Sequence, residues 1–486
     1  MTELSAEEQA LAEEVVAEAD LQAEGKRGPM HGDLTSGPIL KTLIAFSVPM
    51  LVGNLIQTIN GTINAIWVGR LIGENALAAT TNANVVMFLF FALVMGFAMA
   101  STVRIGQHFG ARDVIAARRS FGNGMGFAVG LALAGSVLGL IFSPGMLRLM
   151  ATPAGSFELA NTYLRVIFLS IPFGTANMML SMGMRGAGDA KTPMYAMVLS
   201  VVLDVVLNPL LIMGWGPIPA LGIGGSAFAS FIAGMGGMVF SIWRLYGKDL
   251  PLRLRGSEFG FLIPTGAELK YMVTKGMPMG AQMLLMSSAQ MIMVGLVNRE
   301  GVDTTAAYGA SMQLWNFLQM PAFAISSGVS AMVAQAIGAN KHERVSKVAR
   351  AGMIANLAMT GVLAALLVLA SHPLLALFLG GNSPALPIAQ HVQYLVTWSF
   401  IVMGVSMIVG GTLRSYGVVV LPLVIMAITL YPVRLGFYFA TYASLGSDAL
   451  WWSFPFASCV SAALTWLVYA KGNWRSKRDQ AYSAAG

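Results

Sequence analysis

One acidic side chain sits where an acid is costly. In YAMVLSVVLDVVLNPLLIMG (195–214), Asp204 is flanked on both sides by apolar residues. A carboxylate at the centre of a hydrocarbon layer costs about 2.5–3.5 kcal/mol on insertion scales, so its presence needs a reason. Asn208 follows four residues on and, on a helix, projects from the same face. Pro209 comes next, lacks an N–H and leaves the carbonyl of Val205 without its usual helical donor. A carboxylate, a primary amide and a freed carbonyl in one turn can hold a proton or a small hard cation such as Na+ at Asp204 and Asn208. Desolvation favours the neutral form of such an acid, which brings its protonation within reach of ordinary pH. The plainer alternative is that Asp204 hydrogen-bonds a neighbouring helix.

Other polar groups recur inside apolar runs. Asn54, Gln57, Asn60 and Asn64 fall in the first long run. Asn54, Gln57 and Asn64 follow roughly helical spacing and predict one polar face, with Gln57 and Asn60 as candidates for lining a solute path. Interhelical hydrogen bonds explain the same amides equally well. Asn60-Gly-Thr matches a glycosylation sequon but lies within the run, so it is discarded. Met279, Met283, Met286 and Met293 fall near one helical face, and flexible, polarizable methionines suit a surface that accepts varied apolar ligands. Met283 and Met286 are the candidates here, although a helical methionine stripe also arises from packing alone. Arg165 and Arg434 are expected at outer helix ends, able to snorkel.

The elements that position these residues follow from composition. Of 486 residues, 56% are hydrophobic and 10% charged, with mean hydropathy +0.69. Soluble domains carry about 25% charged residues, so the solvent of this chain is lipid. Twelve runs long enough to cross a core of about 30 Å are predicted, over 39–68, 82–105, 118–143, 157–183, 192–214, 220–246, 268–298, 305–333, 346–370, 386–412, 418–441 and 448–470. With the N-terminus inside, 24 of the 29 Lys and Arg fall on the inner side, which puts both termini in the cytoplasm, of a bacterial inner membrane by expectation. Pro49, Pro209 and Pro278 lie inside predicted helices and predict kinks.

The chain repeats itself. FSVPM (46–50) returns as KGMPM (275–279), GQHFGA (106–111) as AQAIGA (334–339), and Arg185, Gly188 and Pro193 as Arg414, Gly417 and Pro422, all at a spacing of 228 or 229 residues. An even number of spans per repeat makes the halves parallel, related by a pseudo-twofold axis along the membrane normal, with a solute path between them. The expected fold is therefore an all-α polytopic membrane protein of two six-helix bundles. Expected divisions are an acidic tail (1–36), a first bundle (37–246), a basic linker (247–266), a second bundle (267–472) and a C-terminal tail (473–486). In the tail, Ser5 and Glu8 form a capping box before an Ala/Glu-rich stretch, predicting a short solvated helix. Gly122, Gly126 and Gly130, and Gly222, Ser226, Ser230 and Gly234, are spaced for close helix–helix packing.

Taken together, VGRLIGENALAA (68–79), RIGQHFGARD (104–113), MRGAGDAKTPMYAMV (184–198), LGIGGSAFAS (221–230) and AQAIGANKH (334–342) resemble the MATE (multidrug and toxic compound extrusion) family. The resemblance runs from about Ser36 to Trp474. It implies twelve helices in two bundles and export of amphipathic, often cationic compounds against an inward proton or sodium flux, by rocking of the halves. The DinF-like branch is the most similar. That branch couples through an aspartate five residues before the glycine of the helix 1 VG motif, where this chain has Asn64. It also uses an Asn-x-x-x-Asp pair in helix 5, reversed here as Asp204 and Asn208, and a helix 6 threonine, matched by Ser230. The NorM-like branch places acids in helices 7 and 10, and 278–290 and 400–412 contain none.

Other function classes fit less well. A lipid-linked saccharide flippase shares the architecture but would need several bases facing a central cavity. An enzyme is not expected, because His31, His108, His342, His372 and His391 are scattered at loops and helix ends. No Walker A sequence is present for ATP-driven pumping. The single Cys459 forms no intrachain disulfide. No cofactor and no nucleic-acid partner is expected. The partners are drug-like solutes, H+ or Na+ and the bilayer, and the chain is expected to act as a monomer.

Overall fold

In lipid every backbone N–H and C=O must be satisfied within the chain, which leaves long apolar segments the helix as their way to cross. The computed structural model describes residues 32–149, 154–214 and 219–471, and the described segments are helices joined by short turns. The first half holds α1 (Ile39–Leu71), α2 (Glu74–Gly110), α3 (Val114–Leu149), α4 (Ala154–Gly186), α5 (Lys191–Met213) and α6 (Gly222–Gly247). The second holds α7 (Gly266–Arg299), α8 (Val302–Gly338), α9 (His342–Leu369), a short α10 (Ser371–Leu379), α11 (Ala385–Val396), α12 (Ser399–Ser415), α13 (Val420–Ile428), α14 (Arg434–Leu445) and α15 (Asp448–Lys471). Eleven spans are long and apolar enough to cross a membrane, and α11 with α12, bent by 44°, supply a twelfth. The expected helical turn at Ser5–Glu8 and the C-terminal tail lie outside the described residues.

Helices run through Pro49, Pro209 and Pro278 without interruption. Two irregularities were not expected: the α11–α12 bend at Thr397 and Trp398, and a π-helical turn at Thr429–Val433, carrying Pro432, between α13 and α14. Proline explains the second, since it cannot donate to the helical ladder and the chain takes an extra residue in that turn.

The MRGAGDAKTP segment makes the corner between α4 and α5. Gly188 adopts φ 86°, and the N–H of Asp189 then reaches back to the carbonyl of Met184. The carboxylate of Asp189 accepts hydrogen bonds from the Lys191 and Thr192 N–H groups and the Thr192 hydroxyl, satisfying the first turn of α5. Gly417, at φ 76°, makes the corresponding corner before α13. These corners fix where α5 begins, and so where Asp204 sits.

The small-residue stripes pack differently from expectation. A methyl group on Gly122 or Gly126 would strike Phe261 and Leu262 of the linker's short 3-10 helix (Gly256–Leu262), not a neighbouring span, and Gly130 faces open space. Gly222 and Gly234 are likewise free, whereas Gly225 and Gly237, one face over, bring α6 against Leu211 and Ser200 of α5. The linker is tied down by Arg118, which donates to the Pro251 carbonyl and pairs with Glu258 at 3.0 Å. Glu268, in the first turn of α7, is buried between Arg104 and Ser120.

The halves meet at the end of the molecule that carries this linker. The repeat-related α2 and α8 are the most enclosed spans, with 61% and 72% of their apolar windows buried, which marks them as the seam. Gln107 of α2 donates to the Ser415 carbonyl at 2.7 Å, and Gln335 of α8 donates to the Gly186 carbonyl at 3.1 Å. Both donors and both acceptors are repeat-related, so one contact is made twice by pseudo-symmetry. It needs glycine at Gly110 and Gly338, where a Cβ would overlap the carbonyl oxygens of Gln335 and Gln107. The segment before α1 adds a strap: the Leu34 N–H donates to Gln335 Oε1 at 2.9 Å, and Arg344 donates to the Ser36 carbonyl at 2.9 Å.

Gly338→Ala is therefore expected to push the halves apart at this end. Spin labels at Ile115 and Glu343 should show a longer distance distribution in Gly338→Ala. Gly145→Ala, whose Cβ meets nothing, should leave it unchanged.

Candidate functional site

Three acidic or basic side chains are buried among the described residues: Asp204 at 2% exposure, Glu268 at 9% and Arg434 at 8%. Glu268 has Arg104 beside it at 3.5 Å. The other two have no ion-pair partner.

Asp204 lies within the first bundle and is held by neutral groups alone. Its Oδ2 accepts hydrogen bonds from Asn60 Nδ2 at 2.8 Å and Asn64 Nδ2 at 2.7 Å, both from α1. Its Oδ1 accepts from the Ser230 hydroxyl of α6 at 2.9 Å and, at a longer 3.4 Å, from Asn208 Nδ2. Asn208 also donates to Asn64 Oδ1 at 2.8 Å, closing a ring of three side chains. Tyr163 of α4 lies within electrostatic reach of the carboxylate. Four donors converge on an acceptor-only group, the arrangement an ionised carboxylate calls for. The oxygens Asn60 Oδ1 and Asn208 Oδ1 are buried without partners. An amide that turns by half a revolution exchanges its donor for its acceptor, so the same ring can accept a hydrogen bond from a protonated Asp204 or present oxygen ligands to a cation.

The structure thus joins Asp204, Asn208, Asn64 and Ser230, and adds Asn60, which the sequence placed on a solute path. The polar face of α1 is Asn60 with Asn64, one turn apart; Gln57 is exposed and takes no part. Tyr163 carried no sequence signal, because its place beside Asp204 depends on how α4 crosses α5. Met279 and Met293 are packed into the protein interior, at 2% and 1% exposure, so the ends of the methionine stripe are core; Met283 and Met286 stay partly open. Arg434 corrects an expectation. It does not snorkel but is buried in the second bundle against the face of Phe454, whereas Arg165 is exposed. No cluster of three or more His, Cys, Asp or Glu suited to a metal occurs among the described residues.

The acidic ring exists once. The residues 229 positions after Asn60, Asn64, Asp204 and Asn208 are Ala289, Met293, Val433 and Phe437, so the pseudo-symmetry of the scaffold is broken at the site.

The repeat also appears in comparison with known proteins. The MatE family profile matches twice, over residues 49–210 and 278–439. The chain belongs to the MatE family. It is a membrane transporter rather than an enzyme. It is 31% identical over 442 residues to the "Probable multidrug resistance protein YoeA" of Bacillus subtilis (strain 168), covering 90% of this chain and 95% of that one. It is 28% identical over 453 residues to the "Probable multidrug resistance protein YpnP" of the same strain, covering 92% and 98%. The crystal structure of MATE in the straight conformation superposes with a TM-score of 0.84 at 22% identity, covering 93% of this transporter and all of that chain. The shared fold carries both bundles.

Removing one amide from the transporter's ring should be destabilising, because it strips a donor from a buried charge. Asn60→Leu is expected to lower unfolding stability in mixed micelles by about 1–3 kcal/mol. Combining it with Asp204→Leu should recover much of that loss, giving a positive coupling in a double-mutant cycle.

Proposed function

We propose that this transporter exports amphipathic, cationic drug-like compounds by antiport with protons or sodium ions, using Asp204 as the exchange site. The observation that carries the reading is a buried carboxylate supplied with hydrogen-bond donors but with no countercharge. Such a group gains from any cation that reaches it, whether a proton on a carboxylate oxygen or Na+ held by Asp204, Asn208, the amide oxygens and the Val205 carbonyl that Pro209 frees. The multidrug resistance proteins among its relatives support export of drugs as the overall task.

Coupling then follows from differential affinity. Protonation or Na+ binding removes the reason for Asn60, Asn64 and Ser230 to point at Asp204, loosening α5 from α1 and α6. A ligand shifts two conformations only by the difference in its affinity for them. The cation therefore favours one arrangement of the first bundle and the exported solute the other. Exchanged one for one against a monovalent cation, the coupling ion moves no net charge, so its concentration gradient is the driving force: a tenfold ion gradient contributes about 1.4 kcal/mol, a tenfold solute gradient. Gln57, Met283 and Met286 are the proposed path residues between the halves. With the linker end read as cytoplasmic from the positive-inside bias, the clasp between the halves lies on the inner side in this reading.

The test is ethidium transport in proteoliposomes under an imposed pH gradient and, separately, a sodium gradient. Wild type is expected to respond to one of them, and Asp204→Asn to neither, while still binding ethidium within about threefold of wild type. Gradient-driven transport by Asp204→Asn at the wild-type rate would remove Asp204 from the mechanism. For orientation, a cysteine at Lys248 in a Cys459→Ser background should react with a membrane-impermeant maleimide only after the inner face is exposed; labelling of intact cells would invert the topology.

A further inference from the structure

The second bundle carries a buried charge of the opposite sign, for which the exchange mechanism has no use. Arg434 opens α14, directly after the π-helical turn at Thr429–Val433. Counted through the repeat it stands one residue past the position that Asp204 occupies in the first half, at similar depth along the equivalent helix. Its Cζ lies 3.4 Å from the centroid of the Phe454 ring, so the guanidinium is stacked flat and one face is covered. Tyr308 of α8 lies in its electrostatic field and is itself stacked against Trp451, giving an aromatic wall. Among the described residues no carboxylate pairs with Arg434.

Stacking on a ring leaves the N–H edge unsatisfied. Nε and Nη2 of Arg434 are both buried and both lack a hydrogen-bond partner. These two nitrogens point their hydrogens to the same side of the guanidinium and form the fork that grips a carboxylate with two parallel hydrogen bonds. A side chain that served only as packing for Phe454 would lose nothing as a leucine or methionine. It would not need to hold a charge and two unpaired donors away from water.

We propose that Arg434 is an anion site. The Nε/Nη2 edge binds one monovalent anion, either a small halide or the carboxylate of an organic anion whose apolar part lies along the aromatic wall. The site is separate from the Asp204 ring and stands whether or not Asp204 couples transport. If the anion belongs to the exported solute, the two bundles recognise opposite charges, and zwitterions are the solute class that satisfies both.

The test uses the purified full-length protein in detergent and reads its thermal midpoint. Sodium chloride and sodium benzoate are titrated separately, with sodium isethionate holding ionic strength constant. Wild type is expected to show a saturable rise with at least one of them, and Arg434→Gln at least a tenfold weaker apparent affinity. Phe454→Leu, which removes the stack and keeps the fork, should retain the response, and so should Arg165→Gln. A response to chloride alone assigns a resident halide, and a response to benzoate assigns an organic carboxylate. Should Arg434→Gln fail to fold, Arg434→Lys keeps the charge without the fork and should weaken benzoate at least fivefold. The proposal is overturned if wild type shows no saturable response to either salt. It is equally overturned if Arg434→Gln, or Arg434→Lys where that variant stands in for it, responds as wild type does.

Discussion

The charge on Asp204, held by dipoles and by no cation, is the constraint around which the first bundle is arranged. An ionised acid at that depth costs about 2.5–3.5 kcal/mol on insertion scales. Hydrogen bonds to a charged group each return about 1.5–3 kcal/mol. Four donors can therefore offset the burial without neutralising the charge. A salt bridge to a buried arginine would have been more permanent, and would have locked the site in one state. Neutral amides keep the carboxylate stable enough to exist and leave it open to a mobile cation. Each donor comes from a helix that must be placed correctly: α1 brings Asn60 and Asn64, α6 brings Ser230, and the Gly188–Asp189 corner sets the start of α5.

The same logic explains why the two halves are alike in scaffold and unlike in content. Duplication fixes the seam, where Gln107 and Gln335 each reach the carbonyl at the end of a repeat-related helix in the other half. Contacts made twice about an axis close and open together, which suits bundles that move as bodies. Within the bundles there is no such requirement. The acid of the first half is replaced by Val433 at the corresponding repeat position of the second, and the buried base next along the chain, Arg434, gives that bundle the opposite polarity. Cation–π stacking on Phe454 contributes about 2 kcal/mol for a desolvated pair, short of what a buried charge and two unpaired donors cost together.

Much of this was legible in the sequence because lipid makes the code simple. Apolar runs of spanning length have one backbone solution, so the twelve spans and the duplication could be read directly. The lone acid stood out for the same reason, with Asn208 one turn on, whereas Asn64 and Ser230 were tied to it by the family resemblance alone. What could not be read depends on helix crossing. Asn60 and Gln57 are three residues apart, and only the rotation of α1 decides that the first meets Asp204 and the second does not. Gly122 and Gly126 have the spacing of a helix–helix contact, yet the linker fills their groove, since spacing specifies closeness and not the partner. Arg434 looked like a snorkelling residue because its distance along the chain from a helix end was taken as its depth. The π-turn and Phe454 draw it inward instead.

The central claim is that Asp204 exchanges a cation for the exported solute. It is tested most directly by measuring ion displacement in the purified protein, without a membrane or a gradient. Ethidium is added to detergent-solubilised transporter in weakly buffered solution, recording released protons with a pH indicator and, in a parallel sample equilibrated with 22Na+, released sodium. Release of about one ion of one kind per protein, absent in Asp204→Asn, is the predicted result. Release of neither ion by wild type, or equal release by Asp204→Asn, would contradict the account.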